Sequence, residues 1–327
     1  MTTELITLTR TEADAVPSPV PATPSMEAVE GFIRASKAES TLRAYEHDWK
    51  AFCTWCETHG LCPLPATPET VAVYLAETAR RLKVASLQRR LNGITEGHRL
   101  AGLEPPTHSP LVANVMKGVR RTIGTAPAQK APTVTDDIRA MVAARDGGLL
   151  GARDRALILV GFASAFRRSE LVGLEVRDLG FDRNGLTILL RKSKTDQDGE
   201  GRKLGLPFGS CPDTCPVRTL QDWLTLSGIA EGPVFRGINR HGQLQPDALT
   251  AQSVALVVKK LAQRAGLDPA RYAGHSLRSG HVTAAFIGGA AEHIVQRQTG
   301  HKSTAMLRRY FRDADLFRQN SAGKLGL

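Results

Sequence analysis

The chain has 327 residues, 42% of them hydrophobic, and carries 43 Lys and Arg against 32 Asp and Glu, a formal charge of +11. That apolar content can bury a sizeable core and points to two domains, which excludes a disordered tail or a small disulfide-stapled module. The excess positive charge points to a polyanionic partner, nucleic acid ahead of an anionic membrane. No apolar run reaches the roughly 18 residues that a spanning helix needs, and the longest, Ala156–Phe166, is interrupted by Gly161 and Ser164. Residues 1–16 mix Glu4, Arg10, Glu12 and Asp14 with short apolar pieces, unlike a secretory signal, so an intracellular protein is expected. Cys53, Cys56, Cys62, Cys211 and Cys215 are odd in number and scattered. They read as structural thiols, without a disulfide framework or a metal site.

Residues 1–26 end in a proline-rich stretch (Pro17, Pro19, Pro21, Pro24) and are expected to be disordered. From Ser40, the residues Leu42, Tyr45, Trp49, Phe52, Cys53 and Cys56 recur at helical spacing up to a stop at Gly60. Thr67-Pro68-Glu69 opens another helix, and Ser86–Leu100 and Ser109–Ile123 fit two more, so residues 27–123 are predicted to form a helical domain. Residues 124–132 lack bulky apolar side chains, hold Pro127 and Pro132, and read as a linker.

The second domain, 133–327, opens with Thr135 as a helix N-cap, Asp136 and Asp137 in the first turn, and Gly147-Gly148 as the stop. A buried helix is predicted over Arg155–Phe166. Leu186, Ile188 and Leu190 then alternate with Thr187, Leu189 and Arg191 as a strand, and Lys203–Leu206 return after a polar turn at Asp196–Gly201. From Pro216 helical spacing resumes, with loops expected at Gly228–Pro233 and Gly237–Pro246. The expected fold is mainly α with a small antiparallel β-sheet: an all-helical N-terminal domain followed by an α+β domain.

Residues 1–126 hold 14 Lys and Arg against 13 Asp and Glu, so nearly all of the net charge lies in the second domain. In the first, Arg80, Arg81, Lys83, Arg89 and Arg90 form a basic window without an acid, either a solvated helix face or a DNA-binding one.

Three further motifs are basic: Phe166-Arg167-Arg168-Ser169-Glu170-Leu171, His275-Ser276-Leu277-Arg278, and Thr299-Gly300-His301, with Tyr310 downstream. Each alone has a plain structural reading, since Ser and Glu suit a first helical turn and His-x-x-Arg is often only a capped turn. Together, in this order and in a basic two-domain chain, they resemble the tyrosine site-specific recombinases, the phage integrase family, in a Cre-like form.

The resemblance implies a DNA strand transferase that cleaves and rejoins duplex DNA through a 3′-phosphotyrosine intermediate, without metal, ATP or other cofactor. Matched to the motifs, the first family arginine is Arg167, because Arg168 falls on the free position of Arg-x-Ser-Glu-Leu. Glu170 supports the site, His275 and Arg278 form the His-x-x-Arg pair, His301 completes the Gly-His motif, and Tyr310 is the nucleophile. The hairpin lysine falls on Lys194, whose Lys-Thr form matches, with Lys192 next and Lys203 behind both. Residues 27–123 then correspond to the family's core-binding domain, and Arg80, Arg81, Lys83, Arg89 and Arg90 are its candidates for DNA contact. The partners implied are double-stranded DNA with a specific recombination site and three further copies in a homotetramer on two sites, with or without accessory proteins. Each protomer would pass a C-terminal segment to its neighbour, here the tail Ala314–Leu327 with Leu316, Phe317, Leu325 and Leu327. The expected location is the cytoplasm, on the nucleoid.

The chemistry asks for these residue types independently. Breaking a phosphodiester without metal needs fixed cationic donors at the non-bridging oxygens, which arginine forks supply. Tyrosine has an unperturbed pKa of about 10, so its proton needs a base, for which the family offers His275. The leaving 5′ oxygen needs a proton, expected from Lys194. Tyr45 and Tyr74 read as core, Tyr272 lies in a loop, and the other histidines read as structural or surface. Two other readings share the features: a type IB topoisomerase-like nicking-closing enzyme and a catalytically silent DNA-binding regulator. The length and the Arg-x-Ser-Glu-Leu form favour recombination, and the filled catalytic positions disfavour silence.

Overall fold

A computed structural model of the chain describes residues 36–125, 132–144, 146–191, 201–301, 303, 304, 307 and 325. Its contacts divide the chain into two units, Met1–Pro127 and Ala128–Leu327. The tail expected at 1–26, most of the expected linker, Lys192, Lys194 and Tyr310 lie outside the described residues.

The first unit is helical. Helix α1 (Glu39–Thr58) buries Phe52, Trp55 and Cys56, together with Asp48. Helix α2 (Pro68–Thr78) starts where the sequence places it: Pro68 occupies the first turn and the Thr67 side chain accepts the Thr70 amide. Helices α3 (Val84–Leu100) and α4 (Pro110–Ile123) follow, the second capped by Ser109. Phe52, Tyr74, Leu75, Leu87, Ile94 and Met116 fill the centre. Tyr74 is core as expected, whereas Tyr45 is only half-buried. The place its periodicity reserves on α1 goes to Asp48, which is fully buried and paired with arginines of α3.

The second unit begins with α5 (Thr135–Ala143). Thr135 lies inside this helix rather than capping it; the Val134 amide precedes it and donates to Asp137 Oδ2 at 3.2 Å. Helix α6 (Gly148–Ser164) begins ahead of the expected Arg155, so Gly147-Gly148 is a start and not a stop. Every residue of Ala156–Gly161 in α6 is buried, and a helix apolar on all sides shows no stripe from which to place its ends. After the short α7 (Arg168–Val172), strands β1 (Leu179–Asp182), β2 (Gly185–Leu190) and β3 (Arg202–Pro207) form an antiparallel sheet in that order, with Ile188 opposite Leu204 and Leu190 opposite Arg202. Three of the four β1 residues are exposed, so this strand shows no buried–exposed alternation.

Helix α8 (Pro216–Ser227) starts on the proline as expected. The region Gly237–Pro246, expected as a loop, instead contributes to a ribbon of β4 (Arg236–Ile238) and β5 (Leu244–Ala248). β4 is half-buried throughout and β5 passes from half-buried to exposed, so neither shows a buried–exposed alternation. Helices α9 (Ala251–Arg264), α10 (Gly274–Ile287) and α11 (Glu292–Thr299) complete the unit. Its core gathers Leu157, Phe166, Leu171, Ile188, Trp223 and Leu277 from helices and sheet alike. All five cysteines are free, and no helix among the described residues is long and apolar enough to cross a membrane.

Candidate active site

The site begins where α6 ends. Ala165 takes the left-handed conformation at φ 55, unusual for a residue with a side chain, and turns the chain sharply. Phe166 is buried beyond it, which leaves Arg167 extended as the residue that caps α7. Glu170, one turn on, accepts the Arg167 amide at 2.8 Å and the Arg167 guanidinium (Nη1) at 2.6 Å. One carboxylate thus starts the helix and holds the arginine. Its neighbour Arg168 is exposed, and no contact between it and Glu170 is present among the described residues.

Helix α10 supplies the next two groups. Arg278 is 2% exposed, donates from Nη1 to the Ala165 carbonyl at 2.7 Å, and lies with Nη2 3.3 Å from His301 Nε2. The strained turn at Ala165 therefore presents the carbonyl that orients a buried cation. His275 stands at the open start of α10. Desolvation on its protein side, then the charges of Arg278, Arg167 and Arg168, hold its pKa below the usual histidine value. That shift favours the neutral ring, the form that can accept a proton.

His301 follows α11 and the left-handed Gly300. Thr299 Oγ1 donates to the Val295 carbonyl at 2.8 Å, so at 2.6 Å from His301 Nδ1 it accepts that ring's proton. Nε2 is then a lone pair directed at Arg278. Burial first, then Arg278, Arg167, His275 and Arg202, push the His301 pKa down to about 4. The pocket is a hole of positive charge with Glu170 as the one carboxylate bound to its arginines among the described residues, an arrangement that fits a phosphodiester.

Arg202, which no motif flags, and Thr299, which opens the Thr299-Gly300-His301 motif but is given no role there, also belong here. Thr299 sets the His301 tautomer, and Arg202 at the start of β3 places its guanidinium on the last turn of α11. Lys203 is exposed, and strand alternation puts it on the sheet face opposite Arg202, away from the turn that ends in His301. Of the expected residues, Arg167, Glu170, His275, Arg278 and His301 come together; Lys194 and Tyr310 lie outside the described residues. Leu307, just ahead of Tyr310 in sequence, is buried with Val282 of α10 and Val295 of α11.

The basic window of the first unit divides. Arg80, Arg81 and Lys83 are exposed in the turn before α3. Arg89 instead donates to buried Asp48 at 2.6 and 3.1 Å, and Arg90 lies over the Tyr74 ring and donates to its hydroxyl. Part of the charge is thus committed to the fold.

Residues 133–316 match the phage integrase family. The chain is 39% identical over 302 residues to an integrase/recombinase XerD homologue of Selenomonas ruminantium, covering 90% of this chain and 87% of that protein. It is 23% identical over 298 residues to the recombinase Cre of Escherichia phage P1, covering 83% of this chain and 85% of Cre. Its fold is similar to that of lambda integrase in a dimer bound to a COC′ core site, with a TM-score of 0.60 at 18% identity over 90% of this chain and 77% of that one. The chain belongs to the phage integrase family, the tyrosine recombinases. It is an enzyme that cleaves and rejoins DNA strands at specific sites.

Proposed function

We propose that the second unit carries out strand exchange with the residues just described, and that the first is the core-binding domain which grips the DNA. The carrying observation is the convergence of Arg167, Arg278 and His301, from three separate chain segments, on one pocket of positive charge. The arginines hold the non-bridging oxygens of the scissile phosphate. Tyr310 Oη attacks phosphorus, its proton passing to His275; the bond to the 5′ oxygen breaks, and Lys194 protonates that oxygen. A 5′-hydroxyl from another strand reverses the same step, so bond energy is conserved.

In the first unit, the exposed Arg80, Arg81 and Lys83 are the members of the basic window that remain available for phosphate contact, with the outer side of Arg89. Double-stranded DNA with a specific site is the partner, a homotetramer on two sites is the assembly, and the nucleoid in the cytoplasm is the place of action. The test is covalent trapping on duplexes selected by binding from a random library and nicked near the cleavage site. Wild type gives a DNA-linked band on a denaturing gel and Tyr310→Phe does not. An adduct formed equally by both would move the nucleophile elsewhere. Strand exchange between two labelled duplexes then separates recombination from nicking and closing.

A further inference from the structure

Arg202 is the first residue of β3, at the foot of the segment that joins β2 to β3. Leu204 and Leu206, on its side of the strand, are buried in the core, while Lys203 on the other side is exposed. The strand therefore fixes the stem of Arg202 firmly. Its Nη1 donates to the Gln298 carbonyl at 2.9 Å and the Arg297 carbonyl at 3.1 Å. Both carbonyls lie in the last turn of α11, where a helix has no acceptor-seeking amide of its own left to offer and where its dipole favours a cation.

The next turn is shaped around this guanidinium. Gly300 takes φ +65, and a Cβ there would stand 3.1 Å from Arg202 Cζ and 3.3 Å from both Nε and Nη1. A side chain there would push the guanidinium back by a few tenths of an ångström and strain the left-handed turn, so glycine is what lets the arginine lie this close to the Gly300-His301 turn. His301 follows at once, its carbonyl held by Gln296 Nε2 at 2.9 Å and its ring by Thr299 and Arg278. Loss of Arg202 frees the one side-chain tie from the sheet to this turn that the described contacts contain.

We propose that Arg202 is a positioning residue for strand cleavage: it clamps the last turn of α11 to the foot of the β2–β3 hairpin and so sets His301 beside Arg278 on the scissile phosphate. The proposal rests on the assignment of His301 to that phosphate. A lysine could reach a carbonyl as a point charge but lacks the planar face that lies on Gly300, so Arg202→Lys recovers only part of the function.

The experiment measures single-turnover cleavage of a nicked duplex, selected from a random library by the wild-type chain, for R202A, R202K, H301A and the double variants R202A/H301A and R202K/H301A. Gel-shift affinity for the same duplex and the melting temperature are recorded alongside. Arg202→Ala is expected to slow cleavage about 100-fold with affinity changed by less than about threefold. In the H301A background the same substitution costs less than about threefold more, because its effect passes through His301. Losses that multiply in the double variant, or an R202A rate equal to wild type, overturn the proposal. If R202A does not fold, R202K carries the same cycle. An H301A variant that cleaves at the wild-type rate overturns the His301 assignment itself, and that failure is visible in the single variant before any cycle is drawn.

Discussion

A single carboxylate decides how the first arginine of the site is held. Glu170 is almost fully buried and spends one oxygen on the Arg167 amide and the other on its guanidinium. Glu170→Ala leaves that cation without its partner and removes the helix-starting contact; breaking a buried pair in this way costs about 3 kcal/mol of stability. Cleavage should fall about 100-fold, equivalent to about 2.7 kcal/mol in the barrier, while DNA affinity stays within about threefold. Glu170→Gln, which keeps an acceptor for the amide, should fall between. Single-turnover cleavage and urea unfolding of the two variants check this order. The histidines make a second prediction. His275, His281 and His301 all have lowered pKa values, burial being the first cause in each. Below about pH 6.5 the unfolded chain therefore binds more protons than the folded one, and stability falls with pH. For His301, with a folded pKa of about 4, the loss between pH 7 and pH 5 is on the order of 2 kcal/mol. Thermal melting of the DNA-free protein should show this loss, and His301→Gln should flatten the slope. Bound phosphate brings the opposite charge into the pocket and raises the same pKa, so DNA should protect most strongly at the acid end.

At the scale of elements, α10 carries two of the proposed catalytic groups on a helix whose packing is unusually tight at one point. The Thr133 amide donates to the Ser276 carbonyl at 3.1 Å, and a Cβ on Gly280 would stand 1.9 Å from the Thr133 carbonyl oxygen. The start of the second unit thus lies directly on the helix that bears His275 and Arg278. In a solvated helix, alanine in place of glycine stabilises by about 1 kcal/mol. Here the collision is with backbone, which cannot rotate away, so the sign reverses. Gly280→Ala should destabilise by about 2–3 kcal/mol, lowering the melting temperature by about 5–10 °C. Thr133→Val should do the opposite, since the buried Thr133 hydroxyl has no hydrogen-bond partner among the described residues and losing it removes a desolvation cost of about 1 kcal/mol. These contacts also mark what a sequence can disclose. Arg167, Glu170, His275, Arg278 and His301 were legible because each sits in a motif of local spacing, and α2, α4 and α8 because Thr67-Pro68, Ser109-Pro110 and Pro216 are local start signals. β1, the β4–β5 ribbon and the true start of α6 were not, because these strands show no buried–exposed alternation and an all-apolar helix lacks a stripe. Arg202 and Gly280 act through residues far along the chain, so no window around them shows their role.

At the scale of the whole molecule, charge and assembly take over. With +11 overall, binding should be dominated by phosphate contacts. If 6–10 phosphates are neutralised, affinity falls by about 10³–10⁵ between 50 and 200 mM salt. Affinity measured across that range gives the slope, and exchanging Arg80, Arg81 and Lys83 for alanine should reduce it by up to about three contacts without changing the cleavage position. Assembly makes the last prediction. The second unit has an apolar groove of about 400 Å³ lined by Phe208, Ala285, Ile294 and Val295, with Ile294 45% exposed. The tail of the chain contains Leu316, Phe317, Leu325 and Leu327, the apolar residues that the resemblance expects to pass to a neighbouring protomer. Covering such a surface contributes about 25 cal/mol per Å², a gain that needs a second protomer when the tail passes between copies. Deleting residues 315–327 should therefore leave binding to one duplex site nearly unchanged and abolish the slower-migrating complex that joins two sites. Equal loss of both complexes would mean that the tail serves its own protomer, and the groove would then have to be filled from within the same chain.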